Sequence, residues 1–260
     1  MRSPDSNFVW RFVGSALLAF LSSCGHPKQA HTDVPPPPAT APESPSSTSR
    51  PEGAAKNDRL PAESEADLGE PSVPAQARPL VTETGRASWY GPPYHNRRGS
   101  NGEVYNMHAM TAAHRTLPLG SIVRVTNLKT GHSALVRITD RGPFIPGRVL
   151  DLSLAAARKV DVYQAGVAEV RVEVMQTPSS IETGGKWAVQ IGGFPHEDSA
   201  AKLAEHLQRR YRTAKVLKFA SPAGDWWVRV RVLDDDRERA KKLIAETTTP
   251  EGAVFLVRLD

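Results

Sequence analysis

Ser121-Ile122-Val123-Arg124-Val125-Thr126-Asn127 sets Ile122, Val123 and Val125 among polar neighbours, and Ala134-Leu135-Val136-Arg137-Ile138-Thr139 does the same after a short gap. Apolar residues recurring at every second position describe a strand with one face in a core and one toward water. Val170-Arg171-Val172-Glu173-Val174 repeats the pattern. Lys129-Thr130-Gly131 and Arg141-Gly142-Pro143 supply turn residues between these segments. Leu154-Ala155-Ala156-Ala157-Arg158-Lys159-Val160 is the one helix of this region, with Ser153 or Asp151 placed to cap it. Several short strands within residues 85–177 predict a small β-barrel.

Working outward, residues 183–260 alternate strand and helix. Trp187, Val189 and Ile191 alternate with Ala188 and Gln190 as a strand. Leu203, Ala204, Leu207 and Tyr211 share a helical face, with Asp198 as the expected cap. Lys215–Phe219 and Trp226–Val232 pair about the Pro222-Ala223-Gly224 turn, a second helix runs from Arg237 to Glu246, and Ala253–Val257 closes the order βαββαβ. That order is an α+β, ferredoxin-like sandwich.

The other end of the chain is different in kind. Twelve of its 22 prolines fall within residues 25–84, among Ser, Ala, Thr and Glu. Such a composition cannot bury enough apolar surface to offset ordering entropy, so residues 24–84 read as a disordered tether. Before it, Arg2 and Arg11 flank the apolar run Phe12–Leu21, and Leu21-Ser22-Ser23-Cys24 follows. The run is too short to span a bilayer and fits an export signal over residues 1–23. Leu21–Cys24 resembles a lipobox, in which Cys24 becomes the acylated first residue of a lipoprotein; Gly25 after it implies the outer membrane. Cys24 is the only cysteine, so no intramolecular disulfide can form. The net charge is +5, and residues 85–180 hold twelve Lys and Arg against six Asp and Glu. That excess suits an anionic partner; an exported chain excludes nucleic acid and leaves carboxylate-bearing polymers.

Six short motifs then occur in one order. They are Gly85-Arg86-Ala87-Ser88-Trp89-Tyr90-Gly91, Asn101-Gly102-Glu103-Val104-Tyr105, Thr111-Ala112-Ala113-His114, Thr116-Leu117-Pro118-Leu119-Gly120, Thr139-Asp140-Arg141-Gly142-Pro143-Phe144 and Leu150-Asp151-Leu152-Ser153. With Val123–Leu128 between the fourth and fifth, they resemble the rare lipoprotein A family over about 90 residues. Gly99-Ser100 and Asn106 depart from its usual pattern. The resemblance implies a six-stranded double-psi β-barrel, related to those of expansins and some endoglucanases. It also implies a lytic transglycosylase that cuts peptide-free peptidoglycan at the septum, its functional residues matching Glu103, His114 and Asp140. Trp187-Ala188-Val189-Gln190-Ile191-Gly192-Gly193-Phe194 resembles the opening of a SPOR domain, and Trp227–Val232 its third strand, although Leu233-Asp234-Asp235 replaces the usual Gly-Pro. That likeness implies a module for septal, denuded glycan, with Gln190, Phe194 and Trp227 as its contacts; Arg229 and Arg231 alternate onto one side of the sheet, where they could meet muramyl carboxylates or simply be solvated.

Glycosidic cleavage needs a proton delivered to the leaving oxygen, normally by a carboxylic acid. Hydrolases add a second carboxylate to handle water; a transglycosylase lets the muramyl 6-hydroxyl attack, so one acid/base can serve both steps. Each candidate also fits a plainer role. Asp140 could bond the turn that follows it, Glu103 could be a solvated loop carboxylate, and His114 a satisfied structural histidine. Asp151 fits a helix cap as well as an acid. His95 and His108 have no third ligand at metal-site spacing, so neither a metal nor a cofactor is expected. A barrel that grips glycan without cutting it is the rival reading.

Overall fold

The computed structural model describes residues 69–212, 215–249 and 251–260. The export signal, Cys24 and most of the tether lie outside the described residues. The last part of the stretch assigned to the tether belongs to the fold: Leu135 N–H donates to the Glu70 carboxylate at 2.6 Å, and the first strand starts at Val81 rather than after residue 84. Composition averaged over sixty residues hides these few strand-forming positions.

The first body runs β1 (Val81–Trp89), β2 (Thr111–His114), β3 (Ile122–Asn127), β4 (Ser133–Asp140), β5 (Arg148–Leu152), α1 (Leu154–Lys159), α2 (Val162–Ala165) and β6 (Ala168–Gln176). Its strands close into a six-stranded barrel in the order β1-β5-β2-β4-β3-β6. Closure leaves no free edge, which stabilises so short a set of strands. Val123 and Val125, Val136 and Ile138, Leu150 and Leu152, and Val170 and Val172 are all fully buried, the period-two arrangement the sequence predicts. Ser153, not Asp151, caps α1: its side chain accepts from Ala156 N–H at 3.2 Å. Asp151 is in β5 instead.

One irregularity positions the site. Along the parallel pair β2 and β4, Ala112 faces Ile138 but Ala113 faces Asp140, so β4 carries one extra residue at Thr139. Such bulges re-aim the side chains beside them. Ala113 also faces Asp151 across the antiparallel pair β2 and β5. Two aspartates far apart in sequence therefore flank one small alanine at the same end of the barrel.

The second body runs β7 (Trp187–Phe194), α3 (Glu197–Arg210), β8 (Lys215–Ala220), β9 (Trp226–Arg231), α4 (Arg237–Glu246) and β10 (Ala253–Arg258). Its sheet has the order β10-β7-β9-β8, the ferredoxin-like arrangement. Trp187, Val189, Ile191, Val228 and Val230 pack beneath Ala204, Leu207, Ala240 and Leu243 of the helices. Asp198 is not the cap of α3; His196 holds that position, and Asp198 lies in the first turn, where the helix dipole favours a carboxylate. The ladder slips between Gly192 and Phe194. Gly192 takes φ 145°, and a Cβ there would come within 2.7 Å of the Trp226 carbonyl oxygen, so glycine is required. The slip turns Phe194 into the helix-side core beside Ile191.

The opposite face of the sheet meets the barrel. Phe144, from the loop after β4, packs on Trp227 at 5.4 Å and Phe255 at 5.7 Å between ring centroids. Arg115 lies over the Phe255 ring at 5.6 Å. Backbone bonds add to this: Arg258 N–H donates to the Arg115 carbonyl at 3.0 Å and Leu119 N–H to that of Asp260 at 3.2 Å.

Candidate active site

Two cavities open at the end of the barrel where the β4 bulge lies. The first, about 430 Å³, is lined by Glu103, Tyr105, Asn106, Thr111, Arg137 and Asp140. The second, about 340 Å³, takes in Tyr94, Asp140, Asp151, Gln190, Trp227 and Arg229. Arg98, Tyr105 and Asp140 line both, so the two openings meet at Asp140.

Asp140 is held from one side. Ser100 N–H at 2.9 Å, Ser100 Oγ–H at 2.5 Å and Arg141 N–H at 2.7 Å all donate to its Oδ1. Its Oδ2 takes no hydrogen bond among the described residues. A carboxyl fixed through one oxygen, with the other at the junction of two cavities, is placed to exchange a proton with a bound molecule. Glu103 faces the first cavity; its Oε2 accepts from Asn101 Nδ2 at 2.7 Å and lies 3.6 Å from Arg137 Nη2. The structure thus brings Asp140 and Glu103 to one open cleft, with Arg137 beside them.

His114 is not brought into it. Its Nδ1 accepts the N–H groups of Thr116 at 3.2 Å and Leu117 at 3.0 Å, so the ring proton sits on Nε2 and is donated to Glu83 at 2.7 Å. Both nitrogens are occupied, the ring is buried, and His114 lines neither cavity. Its place is structural: it ties β2 to β1 and shapes the turn behind the site. Burial works to raise the Glu83 carboxyl, but the His114 hydrogen bond and the charge of Arg115 outweigh it and hold Glu83 below its usual value.

Sequence reasoning underrates Asp151 and the tyrosines. Asp151 accepts a short hydrogen bond from Ser88 Oγ–H, and Arg148 Nη1 donates in turn to that Ser88 oxygen at 3.0 Å. Burial pushes the Asp151 carboxyl up, Ser88, Arg148 and Arg115 offset part of the rise, and the charge of Asp140 adds to it. Tyr90 stacks on Tyr105 with centroids 4.3 Å apart and meets Tyr94 edge-on at 5.8 Å. Burial first, then the negative charge of the two aspartates, holds all three phenols protonated. Three tyrosines within Trp89–Tyr105 are the sequence signal for this wall, which suits the C–H faces of sugar rings.

A pH dependence follows from Asp151. A carboxyl raised above its unfolded value of 3.8 binds more protons folded than unfolded, so it stabilises fully below that value and progressively less as pH rises through the folded one. The melting temperature of Asp151→Asn, which keeps an acceptor for Ser88, should gain on the unaltered chain as pH climbs from 4 into the neutral range. A constant gap across that range would mean Asp151 is not raised.

In the second body the expected contacts divide. Gln190 and Arg229 line the second cavity: Arg229 Nε and Nη2 donate to Gln190 Oε1 at 3.0 and 2.6 Å. Trp227 lines the same cavity and packs on Phe144. Phe194, buried under the helices, is not a surface contact. His95 and His108 lie edge to face at 5.8 Å, and no group of three or more metal-ligating side chains occurs among the described residues. No helix among them is long and apolar enough to cross a membrane.

A closed six-stranded barrel with an open carboxylate cleft at one end, followed by a ferredoxin-like sheet, defines the class. Residues 82–172 match the family model described as lytic transglycolase, the double-psi barrel, and residues 183–248 match the SPOR domain. Over these two stretches the chain is similar to proteins of the rare lipoprotein A family. It is 47% identical over 133 residues to the endolytic peptidoglycan transglycosylase RlpA of Vibrio cholerae, covering 48% of this chain and 51% of that protein. It is 40% identical over 156 residues to the protein of that name from Campylobacter jejuni, covering 51% and 56%. The probable counterpart from Synechocystis is 56% identical over 92 residues, covering 35% and 29%. The chain thus spans about half, or less, of the length of the curated relatives it matches.

Proposed function

We propose that the barrel is a lytic transglycosylase that cuts the β-1,4 bond between MurNAc and GlcNAc within peptide-free peptidoglycan strands. The reading rests on Asp140: it stands where two cavities meet, with Oδ1 fixed by three donors and Oδ2 unbonded among the described residues. The protonated carboxyl gives its proton to the GlcNAc O4 as the C1–O4 bond breaks. The resulting carboxylate then takes the proton of the muramyl 6-hydroxyl as O6 bonds to C1. Atoms balance without water, Asp140 ends protonated as it began, and the product carries a 1,6-anhydro end. Glu103 supplies negative charge across the cleft, where the sugar ring becomes oxocarbenium-like. The names of the relatives agree with this chemistry.

The same proposal covers location. Cys24, at the end of Leu21-Ser22-Ser23-Cys24, would carry acyl chains that hold the protein in the outer membrane, facing the periplasm. The SPOR domain would concentrate the enzyme on denuded septal glycan. Preference for peptide-free strands is checked with the full chain carrying Asp140→Asn, which binds without cutting. It should co-sediment with amidase-treated sacculi well above its retention on untreated ones; equal retention would contradict the preference.

A further inference from the structure

The second cavity is not a property of the barrel alone. Tyr94, Asp140 and Asp151 form one side and Gln190, Trp227 and Arg229 the other. The two sides are fixed relative to each other, since Phe144 is packed between Trp227 and Phe255 and Arg141 Nη2 donates to the Asp260 carbonyl at 2.6 Å. The sheet face that carries Arg229 is therefore divided: one part is sealed against the barrel and the rest opens into the cleft that holds Asp140.

Arg229 is built into that opening. Gln190 Oε1 accepts from two of its nitrogens, and its guanidinium lies over the Phe219 ring at 5.1 Å. Burial lowers its pKa and the charge of Asp140 partly restores it, so the two groups sense each other across the gap. Arg231, on the same strand face, is directed elsewhere by its ion pair with Asp235 at 2.6 Å. A volume of about 340 Å³ lies within the range of ligand sites, about 300–1,000 Å³. A fixed cation, the Tyr94, Phe219 and Trp227 rings and a partly buried acid suit a sugar chain that bears carboxylates.

We infer that the barrel and the C-terminal sheet form one continuous groove, in which a single carboxylate-bearing glycan segment contacts Tyr94 and Asp140 on one wall and Arg229 on the other. The sheet then adds subsites beside the scissile bond to its hold on denuded glycan. The inference rests on the barrel being the glycan-cutting site, and the test separates the two.

The full chain carrying Asp140→Asn is titrated calorimetrically with a peptide-free GlcNAc–MurNAc tetrasaccharide, a ligand short enough to occupy one place. One site per chain is expected. Arg229→Gln and, on the opposite wall, Tyr94→Ala should each weaken that site about tenfold or more, in line with loss of a charge-assisted or stacking contact. Arg231→Gln should leave it unchanged. Should Arg229→Gln fail to fold, Phe219→Ala removes the platform under the guanidinium and should weaken the same site. Two independent sites, or one site indifferent to both Arg229→Gln and Phe219→Ala, would overturn the shared groove. Cleavage by the unaltered chain is followed separately: a shared site without cleavage sinks the enzyme and leaves the groove, whereas cleavage with two independent sites does the reverse.

Discussion

Asp140→Asn should reduce release of anhydro-ended fragments from peptide-free glycan by about 10²–10⁴-fold, the usual contribution of a general acid–base group. Asparagine keeps an Oδ1 acceptor for Ser100 N–H, Ser100 Oγ–H and Arg141 N–H, so the loop that carries it stays in place. It cannot give up a proton to O4 or accept one from the 6-hydroxyl. The melting temperature should therefore barely move while turnover collapses, and a loss well under tenfold would remove Asp140 from the acid–base role. Glu103→Gln should cost less, because Glu103 would act on the same sugar only through its charge, part of which the Arg137 guanidinium beside it already offsets.

The largest effect on stability is expected at Arg141, the residue next to Asp140. Its buried guanidinium donates from Nη1 to the carbonyls of His114 at 3.0 Å and Leu117 at 2.6 Å, and from Nη2 to that of Asp260 at 2.6 Å. Burial, with the charge of Arg258 adding to it, draws its pKa down to about 10, a sign of how little water reaches it. Arg141→Met relieves the burial of charge but takes this donor from the carbonyls of His114 and Leu117 and leaves the Asp260 main-chain oxygen with Leu119 N–H alone. Unmet buried acceptors cost about 1–3 kcal/mol each, so the net loss should be about 3 kcal/mol in chemical denaturation. Since the Asp260 contact spans barrel and sheet, the two bodies should also begin to unfold separately. A change below about 0.5 kcal/mol, the size typical of inconsequential surface substitutions, would mean these carbonyls find other donors.

What the sequence discloses follows the physics of each element. β3, β4 and β6 are legible because each has one face inside the barrel and one outside, and the alternation is written in Ile122–Asn127, Ser133–Asp140 and Ala168–Gln176. Strand β2 is not, since all four of Thr111–His114 are buried and no alternation remains to be read. Asp151 resembles a cap because a helix starts three residues later; only the ladder through Ala113 sets it beside Asp140. His114 stands in the family motif, yet its ring direction depends on Glu83, in a stretch whose composition reads as tether. Phe194 matches its motif too, but the slip at Gly192 turns it inward. The cavity shared by the two bodies has no sequence signature at all, because it arises from Phe144 docking on Trp227 and Phe255.

The central claim is that Asp140 catalyses attack of the muramyl 6-hydroxyl in place of water. Mass spectrometry of the fragments that the full chain releases from amidase-stripped sacculi tests it most directly. The predicted products are one water lighter than reducing-end glycan fragments and are not converted to alditols by borohydride. Fragments carrying reducible ends would instead assign the cleft to hydrolysis, and no fragments at all would leave a barrel that holds glycan without cutting it.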